Sequence, residues 1–482
     1  MTATDPRGPA HGPLPRFATD ARAIWRLGAP LLVNNLSVAG MSFADTVMAG
    51  RLGREALAAV AVGSAYYNLF LMFGLGILMA LSPLSAHAYG AGDSPRVGAY
   101  ARQALWLVLG VGALVVAGMS AVRPLLEAIG TDPVIVPTAT GYVLAVACGL
   151  PAMFGFLALR FVSEGVGHTR PIMYIAVLGL VVNVFGNWVF MYGRLGAPAL
   201  GAVGTGVSTA ITMWTMFLAM LLYVRRHRVY RPFRLFARFE GPDPTRLREM
   251  LGLGLPICGS VMSEGALFVA AGLIMGTLGA VTAAAHQIAL NYASFMFMVP
   301  LALHSATTIH VGHLAGAGDP RAARSAGYTG VVICGALMVV SAIVIVFANR
   351  AIASLYTEDA EVLALAGTLL LFAAVFQVSD GVQIGAAGAL RGFKDAKVPM
   401  ALNFTSYWLF GFPLAFGLGV AWGGGPYYVW LGLIAGLTAC AVALTLRFRF
   451  VSARAVAAST AGGATNRAAA ATSAVPEPSA TL

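Results

Sequence analysis

Charged side chains are scarce in this 482-residue chain, where Asp, Glu, Lys and Arg together make up 10%, against roughly 25% in soluble domains. So few charges cannot cover a water-exposed surface of this extent, which excludes an ordinary soluble enzyme. Cysteine is sparse as well. Cys148, Cys258, Cys334 and Cys440 stand singly inside apolar stretches, and no CxxC or Cys/His spacing suggests a zinc site or a disulfide framework. Walker A motifs, nucleophile elbows and glycine-rich phosphate loops are missing, which disfavours direct ATP coupling. No nucleophile–base pair marks a membrane-embedded enzyme, and no cofactor is expected. The head of the chain, positions 1–20, is polar and proline-rich, without the apolar core of a cleavable signal peptide. The period-two alternation of a membrane barrel does not occur either.

What is present is apolar. Hydrophobic residues make up 59% of the chain and its mean hydropathy is +0.80. A spanning helix needs roughly 20 apolar residues. Twelve such segments can be read, at approximately 24–48, 56–80, 99–122, 134–158, 171–192, 199–223, 250–274, 279–304, 325–348, 362–388, 398–420 and 427–446. They predict an all-α polytopic membrane protein with 12 transmembrane helices. A basic connection at 225–249, including the run RRHRVYRPFR, separates an N-lobe (23–224) from a C-lobe (250–447). The polar head (1–22) and the Ala/Ser/Thr/Pro tail (448–482) hold little to bury, so both are expected to be disordered.

The formal net charge is +11, with 28 Arg and two Lys. If residues 225–249 are cytoplasmic, 25 of the 30 basic residues fall on that side. Only Arg51, Arg54, Arg123, Arg194 and Arg350 fall on the other. The positive-inside rule then places both termini in the cytoplasm of a chain that crosses its membrane many times. The charge is topological, so nucleic acid is not the expected partner.

The halves repeat, position i of the first matching position i + 226 of the second. Leu-Gly-Ala-Pro at 27–30 matches Leu-Gly-Leu-Pro at 253–256, Gly-Arg-Leu-Gly at 50–53 matches Gly-Thr-Leu-Gly at 276–279, and Gly-Ala-Gly-Asp recurs at 90–93 and 316–319. Six helices per half give both repeats one orientation, and the two lobes are expected to be related by pseudo-two-fold symmetry. Parallel repeats of this kind build secondary transporters.

Three acids, Asp45, Glu264 and Asp380, lie well inside apolar segments, with no Lys or Arg read at comparable depth. An ionised carboxylate there is costly, so each must be protonated or hold a small cation. A neutral interhelical hydrogen bond is the plainer alternative. Asp45 lies near the outer end of its segment, where water has access. Asn183 and Asn187, and likewise Thr205 and Thr209, are four apart and share a helix face. Each pair can support a carboxylate or simply bond helix to helix. Pro30 and Pro256 occupy matching places in segments 1 and 7, where they kink the helix, either statically or as a moving bend. His310 and His313 have helical spacing, but no suitable carboxylate or thiol stands nearby, so a loop-edge position without a metal is expected.

The stretches ADTVMAGRLG (44–53), LGLPICGSVMSEG (253–265), AAHQIALN (284–291) and SDGVQIGAAGALRGFKD (379–395) resemble the multidrug and toxic compound extrusion (MATE) family, in its NorM-like branch. The resemblance runs from about residue 24 to 446. It implies an antiporter with a V-shaped cavity between two six-helix lobes, which expels cationic amphipathic drugs in exchange for Na⁺ or H⁺ and works as a monomer in the lipid bilayer. By position, Asp45 resembles the family's first-helix aspartate, with Asn183, Asn187 and Thr209 as polar supports. Glu264 and Asp380 resemble the C-lobe acidic pair, the place for any bound Na⁺, and Gln287 matches a polar position facing them. Phe376 stands where some relatives have Tyr, which removes a hydroxyl ligand. The alternative reading is a flippase or exporter of a lipid-linked or metabolite substrate on a related fold. Such a cavity is expected to carry Arg, which these segments lack.

Overall fold

The computed structural model describes residues 13–236 and 240–473, and every regular element among them is helical. The first half holds α1 (Pro13–Leu52), α2 (Arg54–Leu78), α3 (Leu81–Gly90), α4 (Ser94–Ser120), α5 (Val122–Ala128), α6 (Val136–Ala147), α7 (Leu150–Gly165), α8 (Arg170–Tyr192) and α9 (Ala202–Arg226). The second holds α10 (Pro244–Thr277), α11 (Ala280–Gly316), α12 (Pro320–Ser354), α13 (Ala360–Gly392), α14 (Lys397–Phe404), α15 (Phe412–Phe416) and α16 (Pro426–Ser473). Eleven stretches are long and apolar enough to cross a membrane; α2 with α3 forms one of them, and Lys397–Ala421 another. The bent pair α6 and α7, which meet at 44°, supplies a twelfth span.

Local sequence explains several helix starts. The Asp that ends each Gly-Ala-Gly-Asp repeat caps the next helix: Asp93 accepts from the Arg96 N–H at 3.0 Å, and Asp319 from the Ala322 N–H at 2.8 Å. Such a side-chain oxygen satisfies an N–H that the first turn leaves without a partner. Pro follows within two residues in both, where its missing N–H costs nothing.

Two apolar cores mark the two lobes. One gathers residues of α1 to α9 and the first part of α10, with Ala302 and Ile309 of α11 and Ala396; the other runs from the later part of α10 to α16. Thus Met250, Leu253 and Ile257 pack into the N-lobe core while Leu267, Ala271 and Met275 pack into the C-lobe core. Pro256 stands just before the stretch, between Cys258 and Leu267, over which α10 changes sides. A smaller cluster of Ile24, Leu303, Ala306, Cys334 and Ile384 joins the lobes.

The seam between the lobes is itself repeated. A Cβ at Gly28 would meet Leu303, and one at Gly254 would run into the Ile77 carbonyl. Likewise a Cβ at Gly90 would strike the His313 carbonyl, and one at Gly316 the His87 carbonyl. In both sets the partners exchange by the offset that relates the sequence repeats. Glycine is required at Gly254, Gly90 and Gly316 because backbones touch there, and at Gly28 because the Leu303 side chain fills the space. All these approaches lie between mid-span and the ends that carry the basic loops.

Both tail boundaries need correction. Helix α1 begins at Pro13, and Asp20 is only 4% exposed. Its carboxylate pairs with His310 Nε2 at 3.0 Å and accepts from the Ser325 hydroxyl at 3.0 Å. At the other end α16 continues to Ser473, with Ser452 fully buried and Val451 against the C-lobe core. Alanine-rich sequence has high helix propensity, so a helix already nucleated in the membrane continues without much burial. The remaining tail residues, 1–12 and 474–482, lie outside the described residues. The basic connection is no free tether either: Gln103 bonds the Gly241 carbonyl and Trp106 the Glu240 carbonyl, both at 2.9 Å.

Candidate functional site

In the N-lobe, packing of α1 against α8 brings Asp45 to the paired asparagines. Asn187 Nδ2 donates to Asp45 Oδ1 at 2.6 Å and, more weakly, to Asn183 Oδ1 at 3.5 Å. Asn183 and Asn187 are at most 1% exposed, and the Ser208 hydroxyl donates to the Asn183 carbonyl at 2.9 Å. A cavity of about 170 Å³ lies over this group, lined by Asp45, Ser64, Tyr67, Asn68, Tyr142 and Thr209 among others. Asn187 Oδ1, Thr205 Oγ1 and Thr209 Oγ1 are buried without a hydrogen-bond partner among the described residues. Sequence reasoning passed over Tyr67 and Tyr142; aromatic residues in apolar segments carry no signal that separates packing from lining.

In the C-lobe, Glu264 on α10 and Asp380 on α13 lie within electrostatic range of one another. Asp380 is 6% exposed. Tyr407, fully buried, is close to both carboxylates, and Cys440 stands beside it, donating through Sγ to Asn403 Oδ1 at 3.1 Å. Residues Thr405–Gly411 form a π-helical stretch, a widened turn that recurs at functional sites. No apolar periodicity in the sequence announces it, so Tyr407 was missed. Phe376 packs edge-on against Phe268 and Trp430, a hydrophobic wall in place of a hydroxyl. Gln287 stands exposed on α11, while its neighbour His286 is buried against Trp430 with both ring nitrogens unpartnered among the described residues.

Two charge assignments change. Glu264 has a basic neighbour at depth: Arg391, on the last turn of α13, attracts it. Its Nη1 donates to His304 Nε2 at 2.9 Å, and because guanidinium only donates, His304 Nδ1 carries the hydrogen bonded to the Ile384 carbonyl at 2.8 Å. The apolar segment read to residue 388 stopped one turn short of it. Glu164 is, with Asp20, a further buried acid, 1% exposed and paired with Arg160 Nε at 2.7 Å. The two charges end an apolar window but neutralise each other on one helix face. His310 and His313, expected at a loop edge, lie on α11 and reach the other lobe: His310 to Asp20, and His313 Nε2 to the Gly165 carbonyl at 2.6 Å.

Two six-helix lobes related by pseudo-two-fold symmetry, each with carboxylates within its spans, define a membrane transporter fold. The MatE family model matches residues 30–189 and again 256–416, so its two blocks start at the two prolines that the repeat pairs, and the chain belongs to the MatE family. It is 43% identical over 440 residues, 91% of this chain and 96% of the relative, to "Probable multidrug resistance protein NorM" of Xanthomonas campestris pv. campestris. It is 38% identical to "Multidrug resistance protein MdtK" of Yersinia pseudotuberculosis, over 90% of this chain and 96% of that one. Among solved structures, a MATE transporter in the bent conformation superposes with a TM-score of 0.85, covering 94% of this chain and all of that one at 20% identity. The eukaryotic MATE transporter AtDTX14 gives 0.82, covering 92% and 100%, also at 20% identity.

Proposed function

We propose that this chain is a secondary active multidrug efflux antiporter of a bacterial inner membrane, with both termini cytoplasmic, that expels cationic amphipathic compounds in exchange for Na⁺ or H⁺. The carrying observation is the placement of carboxylates, Asp45 in one lobe and Glu264 with Asp380 in the other, on spans whose cross-lobe contacts lie on the basic-loop side. Carboxylates so placed attract a cationic drug and lose their charge cost when they take up a proton or sodium ion. Binding that differs between two arrangements of the lobes is what drives alternating access. The names of the NorM and MdtK relatives support the substrate class. The oxygens left unpartnered around Asp45 and the acidic pair near Tyr407 both support a bound cation.

The test is counterflow of a fluorescent cation in proteoliposomes under an imposed Na⁺ gradient or H⁺ gradient, applied separately. One gradient should accelerate export and the other should not. Transport insensitive to both would overturn the antiport reading.

A further inference from the structure

Helix ends account for their last carbonyls, and two of these ends do so across the lobe interface. At the end of α7 the Val162, Ser163 and Glu164 carbonyls accept from the N–H groups of Val166, His168 and Gly167. The fourth, Gly165, accepts from His313 Nε2 of the opposite lobe at 2.6 Å. At the end of α13 the Ala389, Leu390 and Arg391 carbonyls accept from Phe393, Asp395 and Lys394. The fourth, Gly392, accepts from His87 Nε2 of the opposite lobe at 2.8 Å. A carbonyl only accepts, so Nε2 carries the hydrogen in both.

The two contacts are one contact used twice. His87 maps onto His313 at the offset of the sequence repeat, and Gly165 maps onto Gly392 within one position of it. Each histidine stands one turn before the glycine, Gly90 or Gly316, at which α3 and α11 touch backbone to backbone. A last-turn carbonyl has no partner within its own helix and bears the negative end of the helix dipole. If the lobes separate on this side, four groups lose their bonds together.

We propose that His87 and His313 form a reciprocal latch that holds the basic-loop side of the transporter shut. Opening of that side, the step alternating access requires, begins with release of both histidines from the opposite lobe's helix end. The proposal rests on the alternating-access reading above, and it assigns that motion two residues outside the carboxylate sites.

The experiment uses the full chain in lipid nanodiscs, with Cys148 replaced by Ser and spin labels at Ala91→Cys and Ala317→Cys, an exposed pair that is itself related by the repeat. Distances between labels need neither substrate nor gradient, so a failed export assay leaves this result separate. His87→Ala should raise the long-distance population about fivefold, and His87→Ala with His313→Ala about thirtyfold, as for one and two ordinary hydrogen bonds. Gln at both positions keeps an N–H that reaches a carbonyl and should restore the short distance. Should the double alanine variant not fold, Phe at both positions keeps the ring's bulk without its N–H and is read the same way. A distance distribution unchanged in the folded double variant overturns the latch, as does Gln behaving like Ala.

Discussion

The Asn187 amide donates to the Asp45 carboxylate at 2.6 Å, fixing the C-terminal part of α1 to the buried face of α8. The carboxylate can gain this bond when ionised and shed its charge when protonated, so its state can bias the bend of α1 near Pro30. Asp45→Asn mimics the protonated form at equal size. It should bind a fluorescent cation with near-native affinity yet lower gradient-driven export at least tenfold. Full export with unchanged pH dependence would leave Asp45 a structural partner only.

For the C-lobe pair, Glu264→Gln and Asp380→Asn should each remove most gradient-driven export while the protein still elutes as a single folded species in detergent. Native export by both variants would reduce the pair to hydrogen-bonding roles.

Arg391 holds His304 and attracts Glu264. Arg391→Met should therefore lower the thermal midpoint in detergent, and adding Glu264→Gln should recover much of the loss. A double variant whose loss equals the sum of the two singles would deny the coupling.

Orientation follows from the distribution of basic residues. A reporter inserted near residue 241, or fused after residue 446, should read cytoplasmic in both cases. A periplasmic signal from either fusion contradicts the twelve-span arrangement.

Much of this architecture was legible because lipid imposes simple rules. The twelve spans, their division into six and six, and the internal repeat follow from apolar length and recurring Gly-Ala-Gly-Asp. The three carboxylates stood out because charge is costly in hydrocarbon. Arg391 and Glu164 did not, since a charge near the end of an apolar window looks like the start of a loop until its partner is seen. Tyr407 depends on a π-helical turn, and His87 on the carbonyl of Gly392, far along the chain in the other lobe; neither leaves a local pattern. The tails were misread because Asp20 finds its partners His310 and Ser325 far along the chain, and because helix propensity carries α16 on past its last buried residues.

The linker's attachment to α4, through Gln103 and Trp106, has a mechanical consequence. A connection bound along one lobe cannot serve as the slack that lets the other lobe swing. Glu249, at the start of α10, is also fastened to α4, accepting from the Tyr100 hydroxyl at 2.8 Å. The flexing point is thereby displaced from the aqueous loop into the bilayer, toward the part of α10 just after Pro256, where the helix passes from one core to the other. A binder raised against the 225–249 surface would ride with the N-lobe and leave the stroke free, whereas stiffening α10 at residue 256 would seize it.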